Sequence, residues 1–219
     1  AFAGRAGFLT VPAAMRNYVL STSYPNMFSS CLLPHEIAGL GATLAVIGKR
    51  DEQRQRLRAH TLRLREHFAR LSRPVLHVTV GAALPDASDA PLHMRKLFVE
   101  FKNHLGSREH EIVDELKPRP GEHVLRKTTI GAFASTNIDS LLRALGCEQL
   151  YLTGVSTNMC VETTAREAAD RGYGVTLVED ACGTTHEDLH HNTMRNFQRL
   201  FGRVRSTAES LAELGAAHV

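Results

Sequence analysis

Residues 154–182 read GVSTNMCVETTAREAADRGYGVTLVEDAC, and their pattern gives the strongest indication of the fold. This stretch begins at the end of the uncharged run QLYLTGV and closes with a second uncharged run, GVTLV. Between these runs the sequence predicts a helix from Cys160 to Arg171, ended by Gly172, since glycine adopts the left-handed conformation found after many helices. The order strand, helix, strand is typical of two parallel strands joined by a crossover helix.

The same alternation extends over the chain after about residue 73. Further strands are predicted at PVLHVTV, HVLRK and VRST. A helix is expected from Ile138 to Leu145, and another, capped by Thr185, is expected to reach about Phe201. The inner face of that last helix is predicted to carry Leu189, Thr193, Phe197 and Leu200. Together these patterns indicate an α/β domain, a doubly wound parallel sheet with helices on both faces.

The part of the chain before residue 73 has a different pattern. Residues 28–48 are predicted to form an apolar helix, and residues 51–71 a second helix. The second helix has one apolar seam, formed by Leu57, Thr61, Leu64, Phe68 and Leu71. The sequence therefore divides into a mostly helical segment, 1–72, and an α/β domain, 73–219.

Composition excludes several functional classes. A formal charge of +3 over 219 residues is too small to indicate nucleic-acid binding, and no apolar run is long enough to span a membrane. The four cysteines form no metal-binding spacing, and disulfides are not expected in such an enzyme-like composition, which favours a cytoplasmic location. Cys31, Cys147 and Cys182 are interpreted as buried thiols.

Cys160 has a position suited to chemistry. It follows a strand, and sites in doubly wound sheets form at the carboxyl ends of strands. It also precedes a helix, whose free N–H groups favour a thiolate and can bind an oxyanion. Lys127, the last residue of HVLRK, is expected at the same sheet edge, where its charge would stabilise the thiolate. The alternatives are a buried structural cysteine and a solvated lysine.

Residues 73–209 resemble the isochorismatase-like cysteine hydrolases. The resemblance rests on RPVLHVTV, on ELKPRPGEHVLRKTTIGAFASTNIDSLLRALG and on YLTGVSTNMCVETTAREAADRGYGVTLVEDAC. It implies that Cys160 is the nucleophile and that Lys127, followed by Ala132 and Phe133, is its partner.

The resemblance also implies functional properties. It implies a cis peptide bond between Val155 and Ser156, and oxyanion donors at Ser156 or Thr157 and at Cys160. The implied reaction is hydrolysis of a C–N bond in a small molecule, by a protein that forms homo-oligomers.

Two groups found in parts of this family have no match. The nicotinamidases of the family carry a metal site, but Asp86 and His93 lack its spacing and are interpreted as loop residues, so no metal is predicted. The catalytic Asp at the end of the family's first, central strand is also missing, because TLAVIGKR, residues 43–50, places Gly48 there. Asp51 and Glu52 are better explained as first-turn helix residues.

Residues 1–72 resemble an internal segment of the α-oxoamine synthases, a pyridoxal-phosphate family. The segment starts after the position of that family's cofactor lysine, so the resemblance implies no working pyridoxal-phosphate site and no cofactor is predicted. Three hypotheses follow for the chain. It is a cysteine hydrolase impaired by the missing Asp, a non-catalytic or truncated domain of the same fold, or a fragment of a pyridoxal-phosphate-dependent acyltransferase fusion.

Overall fold

The computed structural model describes residues 51–216 as helices alternating with strands. The strands of this part are β1 (Leu76–Val80), β2 (His123–Lys127), β3 (Gln149–Val155), β4 (Gly174–Gly183) and β5 (Arg203–Arg205). Its α-helices are α1 (Asp51–Arg70), α2 (Leu92–Glu100), α3 (Ile138–Ala144), α4 (Glu162–Asp170), α5 (Glu187–Leu200) and α6 (Thr207–Ala216). Two short 3-10 turns, Arg108–His110 and Asp114–Leu116, lie between α2 and β2.

All strand pairs of the described residues are parallel. β1 pairs with β2 so that Val80 lies opposite Lys127, and β4 pairs with β3 on one side and β5 on the other. Within residues 51–216 no strand pairs with both β1 and β3, so the strands form a two-stranded and a three-stranded sheet. The facing strands β1 and β3 line one elongated groove with a volume of about 560 Å³.

Helices cover both faces of the three-stranded sheet. Val175 and Leu177 of β4 belong to one apolar cluster, whereas Val178 packs with Leu64 of α1 and with Leu211 of α6 in another. This alternation follows from the strand geometry, in which successive side chains point to opposite faces. The first cluster includes Leu142 of α3, Ala165 of α4, and Met194 and Phe197 of α5. The predicted fold class, parallel strands with helices on both sides, is therefore confirmed.

A buried ionic cluster connects α1 to the two-stranded sheet. Arg65 is buried, and its guanidinium donates to Glu122 from Nε (3.0 Å) and from Nη2 (2.5 Å). His77 of β1 lies 2.8 Å from the same carboxylate. Burial alone would raise the pKa of Glu122, but hydrogen bonds from Arg65, the Arg119 N–H and His77 outweigh it and lower the pKa to about 2. The carboxylate is therefore charged at neutral pH.

Helix α5 differs from its prediction at its start and along its inner face. It begins at Glu187 with His186 at the N-cap position and no side-chain cap, and the hydroxyl of Thr185, the predicted cap, lies 2.9 Å from the His186 ring. Thr193 and Phe197 are buried as predicted, but Leu189 is 38% and Leu200 81% exposed. The prediction that Leu189 and Leu200 lie on the inner face of α5 is therefore wrong.

Several predictions concern residues outside the described range. These are the helix at 28–48, the burial of Cys31 and the position of Gly48, as well as most of the segment 1–72. Among helices within residues 51–216, none combines the length and the apolar character needed to cross a membrane.

Candidate active site

Cys160 lies in a π-helical turn that joins β3 to α4. The turn comprises Thr157–Val161, and α4 starts at Glu162. The Ser156 carbonyl accepts hydrogen bonds from the N–H groups of Met159 (3.1 Å) and Val161 (3.2 Å). The prediction that an α-helix starts at Cys160 is thus wrong by two residues, because the wider turn comes first. The thiol is half-buried at the carboxyl end of β3, the sheet edge that the sequence predicts.

Lys127 contacts this thiol directly. Its ammonium lies 3.2 Å from the Cys160 sulfur and donates to the carbonyl oxygens of Thr129 (2.8 Å) and Ile130. The side chain is 3% exposed, so water contributes little to its solvation. An ammonium has three donors, and here all three point to these partners. Burying such a group is costly unless its donors are hydrogen-bonded, and the two carbonyl oxygens and the sulfur accept those bonds here.

The segment between β3 and the turn has the backbone feature that the resemblance implies. The Val155–Ser156 peptide bond is cis. Val155 is 63% exposed, whereas Thr157 is fully buried, with its hydroxyl 3.0 Å from Nδ1 of His190 on α5. Burial and the neighbouring His191 lower the pKa of His190. His190 is therefore neutral at pH 7, and sequence reasoning did not identify it as a neighbour of this segment.

The loop after β2 holds Lys127 and is itself held by α4. The N–H of Ala132 donates to the Thr164 hydroxyl, and the N–H of Phe133 donates to Oε2 of Glu167, each at 3.1 Å. Thr164 and Glu167 lie on the helix that follows Cys160, and neither was a predicted site residue. The periodicity of α4 could have indicated that they share a face, since residues three positions apart are neighbours on a helix.

The site occupies one end of the groove between the two sheets. Lys127, Phe133, Cys160 and Thr164 line that end, whereas Arg73 and Cys147 lie where the strands begin. The groove therefore follows the length of the strands, and a small molecule that reaches the thiol would fill only part of it.

The other cysteines of the described range lie in less reactive environments. Burial raises the pKa of Cys182 to about 12 and raises the pKa of Cys147. Both are therefore protonated thiols at neutral pH, and the structure brings neither of them to Lys127.

Of the two predicted loop residues, Asp86 lies in the loop between β1 and α2, whereas His93 belongs to α2, so its assignment to a loop is wrong. Asp86 is exposed and accepts the N–H of Ser88 (3.1 Å), and His93 is an exposed residue of α2. Within residues 51–216 no three His, Cys, Asp or Glu side chains are grouped as metal ligands would be. Asp51 and Glu52 are in the first turn of α1, as predicted.

Comparison with known proteins places these features in a family. The sequence pattern of the Isochorismatase domain matches residues 42–209. The chain is 39% identical over 114 residues to ureidoacrylate amidohydrolase RutB of Caulobacter segnis. The aligned residues are 50% of this chain and 46% of that protein. Thus the chain spans about half the length of the curated relatives it matches.

Solved structures give the same result. An isochorismatase family protein from Desulfovibrio vulgaris superimposes with a TM-score of 0.68 and 29% identity, over 73% of this chain and 84% of that one. N-carbamoylsarcosine amidase from Thermoplasma acidophilum superimposes with a TM-score of 0.62 and 27% identity, over 71% and 85%. With more than half of its residues matched by the family pattern and its fold shared with these solved structures, the chain belongs to the isochorismatase family.

Proposed function

We propose that the chain is a cysteine hydrolase that cleaves a C–N bond of a small amide, with an N-carbamoyl compound as the favoured substrate class. The contact between the Lys127 ammonium and the Cys160 sulfur carries this proposal. A buried ammonium next to a thiol favours the thiolate, which is the nucleophilic form. The names of RutB and of N-carbamoylsarcosine amidase both denote cleavage of ureido or carbamoyl groups.

The first half of the proposed reaction forms an acyl-enzyme on Cys160, which is a thiocarbamate from an N-carbamoyl compound and a thioester from a carboxamide. The Cys160 thiolate attacks the carbonyl carbon, and the carbonyl electrons move to the oxygen. N–H groups of the Ser156–Thr157 segment and of Cys160 would bind this oxyanion, as preorganised donors do in acyl transfer. The C–N bond then breaks, and the nitrogen leaves as ammonia with a proton from Lys127.

The second half restores the enzyme. Water attacks this acyl-enzyme, and its proton passes to the neutral Lys127 amine. The carbamic or carboxylic acid then leaves while the thiolate and the ammonium are regenerated. The family's Asp would assist this step, but no residue in 51–216 takes its place beside the pair. General-base assistance is worth about 10²–10⁴-fold, so we expect slow turnover and an acyl-enzyme that accumulates.

The test measures ammonia release from a panel of N-carbamoyl amino acids and simple carboxamides, and the mass of the intact protein. The wild type is expected to release ammonia slowly and to carry an adduct on Cys160. Cys160→Ala should abolish both signals and Lys127→Met should reduce both. Cys147→Ala is the matched control, because Cys147 lies at the opposite end of the groove, and it should behave as the wild type does. Equal ammonia release by the wild type and Cys160→Ala, with no adduct, would exclude the proposal and favour a non-catalytic domain.

Three broader predictions accompany this proposal. A homo-oligomer is expected, to be checked by light scattering of the purified chain, and a cytoplasmic location is expected, to be checked by fractionation. The resemblance of residues 1–72 to an oxoamine synthase predicts a pyridoxal-phosphate lysine upstream in the gene, which reading the gene would establish.

A further inference from the structure

We infer that Glu167 is a positioning residue for the Lys127–Cys160 pair. Its carboxylate fixes the loop whose carbonyl groups orient the Lys127 ammonium towards the sulfur. The inference rests on the pair used in the proposed function, but it concerns the ionisation of the thiol and is therefore testable without turnover.

The orientation of Lys127 depends on the acceptors of its ammonium. A lysine side chain has four rotatable bonds, and its ammonium adopts the position that its acceptors define. Two of those acceptors are the carbonyl oxygens of Thr129 and Ile130. Any displacement of this loop therefore moves the ammonium relative to Cys160.

The loop that contains these carbonyl groups is held by contacts with α4. Oε2 of Glu167 accepts the N–H of Phe133 at 3.1 Å, a charge-assisted hydrogen bond that is stronger than a neutral one. The loop backbone also rests against this carboxylate at Gly131, where an added Cβ would collide with it. Thr164 contributes a weaker, neutral bond to the N–H of Ala132 (3.1 Å). The Ser135 hydroxyl supports the start of the loop through the N–H groups of Thr128 and Thr129, and the carboxylate of Glu167 is the charged group that ties the loop to α4.

Glu167 belongs to the same continuous segment as Cys160. Glu167 lies on α4, directly after the turn that carries Cys160. Seven residues separate the two, which is about 10 Å along a helix, so one rigid element holds the sulfur at one end and the loop further along. The carboxylate thereby ties the position of the ammonium to the element that positions the thiol.

The test is the rate of Cys160 alkylation against pH, read by mass spectrometry, in the full chain. Glu167→Ala should raise the midpoint of the profile by about one pH unit, equivalent to a roughly tenfold lower thiolate fraction near neutral pH. Glu167→Gln should restore most of the wild-type profile, because its amide oxygen can accept the Phe133 N–H. Asp170→Ala is the matched control, an exposed carboxylate on the same helix, and it should leave the profile unchanged.

Thr164→Val provides a milder second variant if Glu167→Ala does not fold, and it should shift the midpoint in the same direction by a smaller amount. Urea denaturation of each variant separates positioning from stability. A Glu167→Ala protein that is less stable but keeps the wild-type alkylation profile would overturn the inference, as would a wild-type Cys160 without enhanced reactivity. If the profile shifts as expected while no substrate is hydrolysed, the inference stands and the proposed function fails.

Discussion

Replacing Glu122 by Gln should remove a large part of the stability of the described domain in a pH-dependent manner. Glu122 is 10% exposed in its side chain, and Arg65 opposite it is 5% exposed. The substitution keeps the shape and one acceptor oxygen, but it leaves the Arg65 guanidinium without a counter-charge. Breaking a buried pair on one side costs about 3–5 kcal/mol, because the remaining charge is buried alone.

The magnitude follows independently from the titration of Glu122. Its pKa falls from the ordinary 4.5 to about 2 on folding, a difference worth about 3 kcal/mol at about 1.4 kcal/mol per unit. A carboxyl group with a lowered pKa stabilises the folded state fully above the unfolded value. That contribution is lost as the pH falls from 4.5 towards about 2. The wild type should therefore lose about 3 kcal/mol across this window through Glu122, whereas Glu122→Gln should not.

The assay is urea denaturation followed by far-UV circular dichroism at several pH values between about 7 and 2, with unfolding free energies from linear extrapolation. The two stability curves should lie about 3 kcal/mol apart near neutral pH and approach each other in acid. Glu115→Gln is the control, since its pair with Arg58 is 3.2 Å long but 50% and 42% exposed, and such pairs contribute about 1 kcal/mol or less. Parallel curves, or equal losses in the two variants, would refute the reasoning.

Two further predictions concern reactivity and packing. Iodoacetamide near neutral pH should modify Cys160 well before Cys147 and Cys182, whose pKa values burial raises; faster modification of Cys182, read from tryptic peptides, would contradict the structure. Phe197→Ala should lower the free energy of unfolding by about 3–5 kcal/mol, because Phe197 is fully buried. In contrast, Leu200→Ala on the same helix should change the free energy of unfolding by no more than about 0.5 kcal/mol, because Leu200 is 81% exposed. Equal losses of stability for the two variants in a denaturation experiment would show that the packing of α5 is wrongly described.

Local sequence signals predicted the strands well. HVLRK and QLYLTGV became β2 and β3 with the predicted bounds, because runs rich in β-branched and apolar residues favour a pleated, half-buried strand. Gly146 and Gly172 end helices with φ of 65° and 90°, as their sequence positions predicted. The meeting of Lys127 and Cys160 was predicted by the rule that parallel strands end at one sheet edge.

The features that sequence reasoning missed depend on tertiary contacts, which no local sequence pattern encodes. The π-helical turn has no distinctive sequence pattern, so the start of the helix was placed at Cys160. Leu200 fits the apolar period of α5, yet it is 81% exposed in the fold, so the period alone does not identify the buried face. Glu167 and Thr164 became visible only when the fold brought α4 beside the loop after β2.

The loop that follows β2 has a consequence for how the site responds to heat. Within the described residues, Lys127 lies 3.2 Å from the Cys160 sulfur, and the carbonyl oxygens of Thr129 and Ile130 accept hydrogen bonds from its ammonium. Regions held by side-chain and loop contacts open at lower free energy than a core does. We expect the fast alkylation of Cys160 to decline on warming before the circular dichroism signal changes, and coincident transitions would show that the loop and the strands unfold as one cooperative unit. If alkylation declines first, the reactivity of the thiol reports the opening of this loop while the strands are still intact.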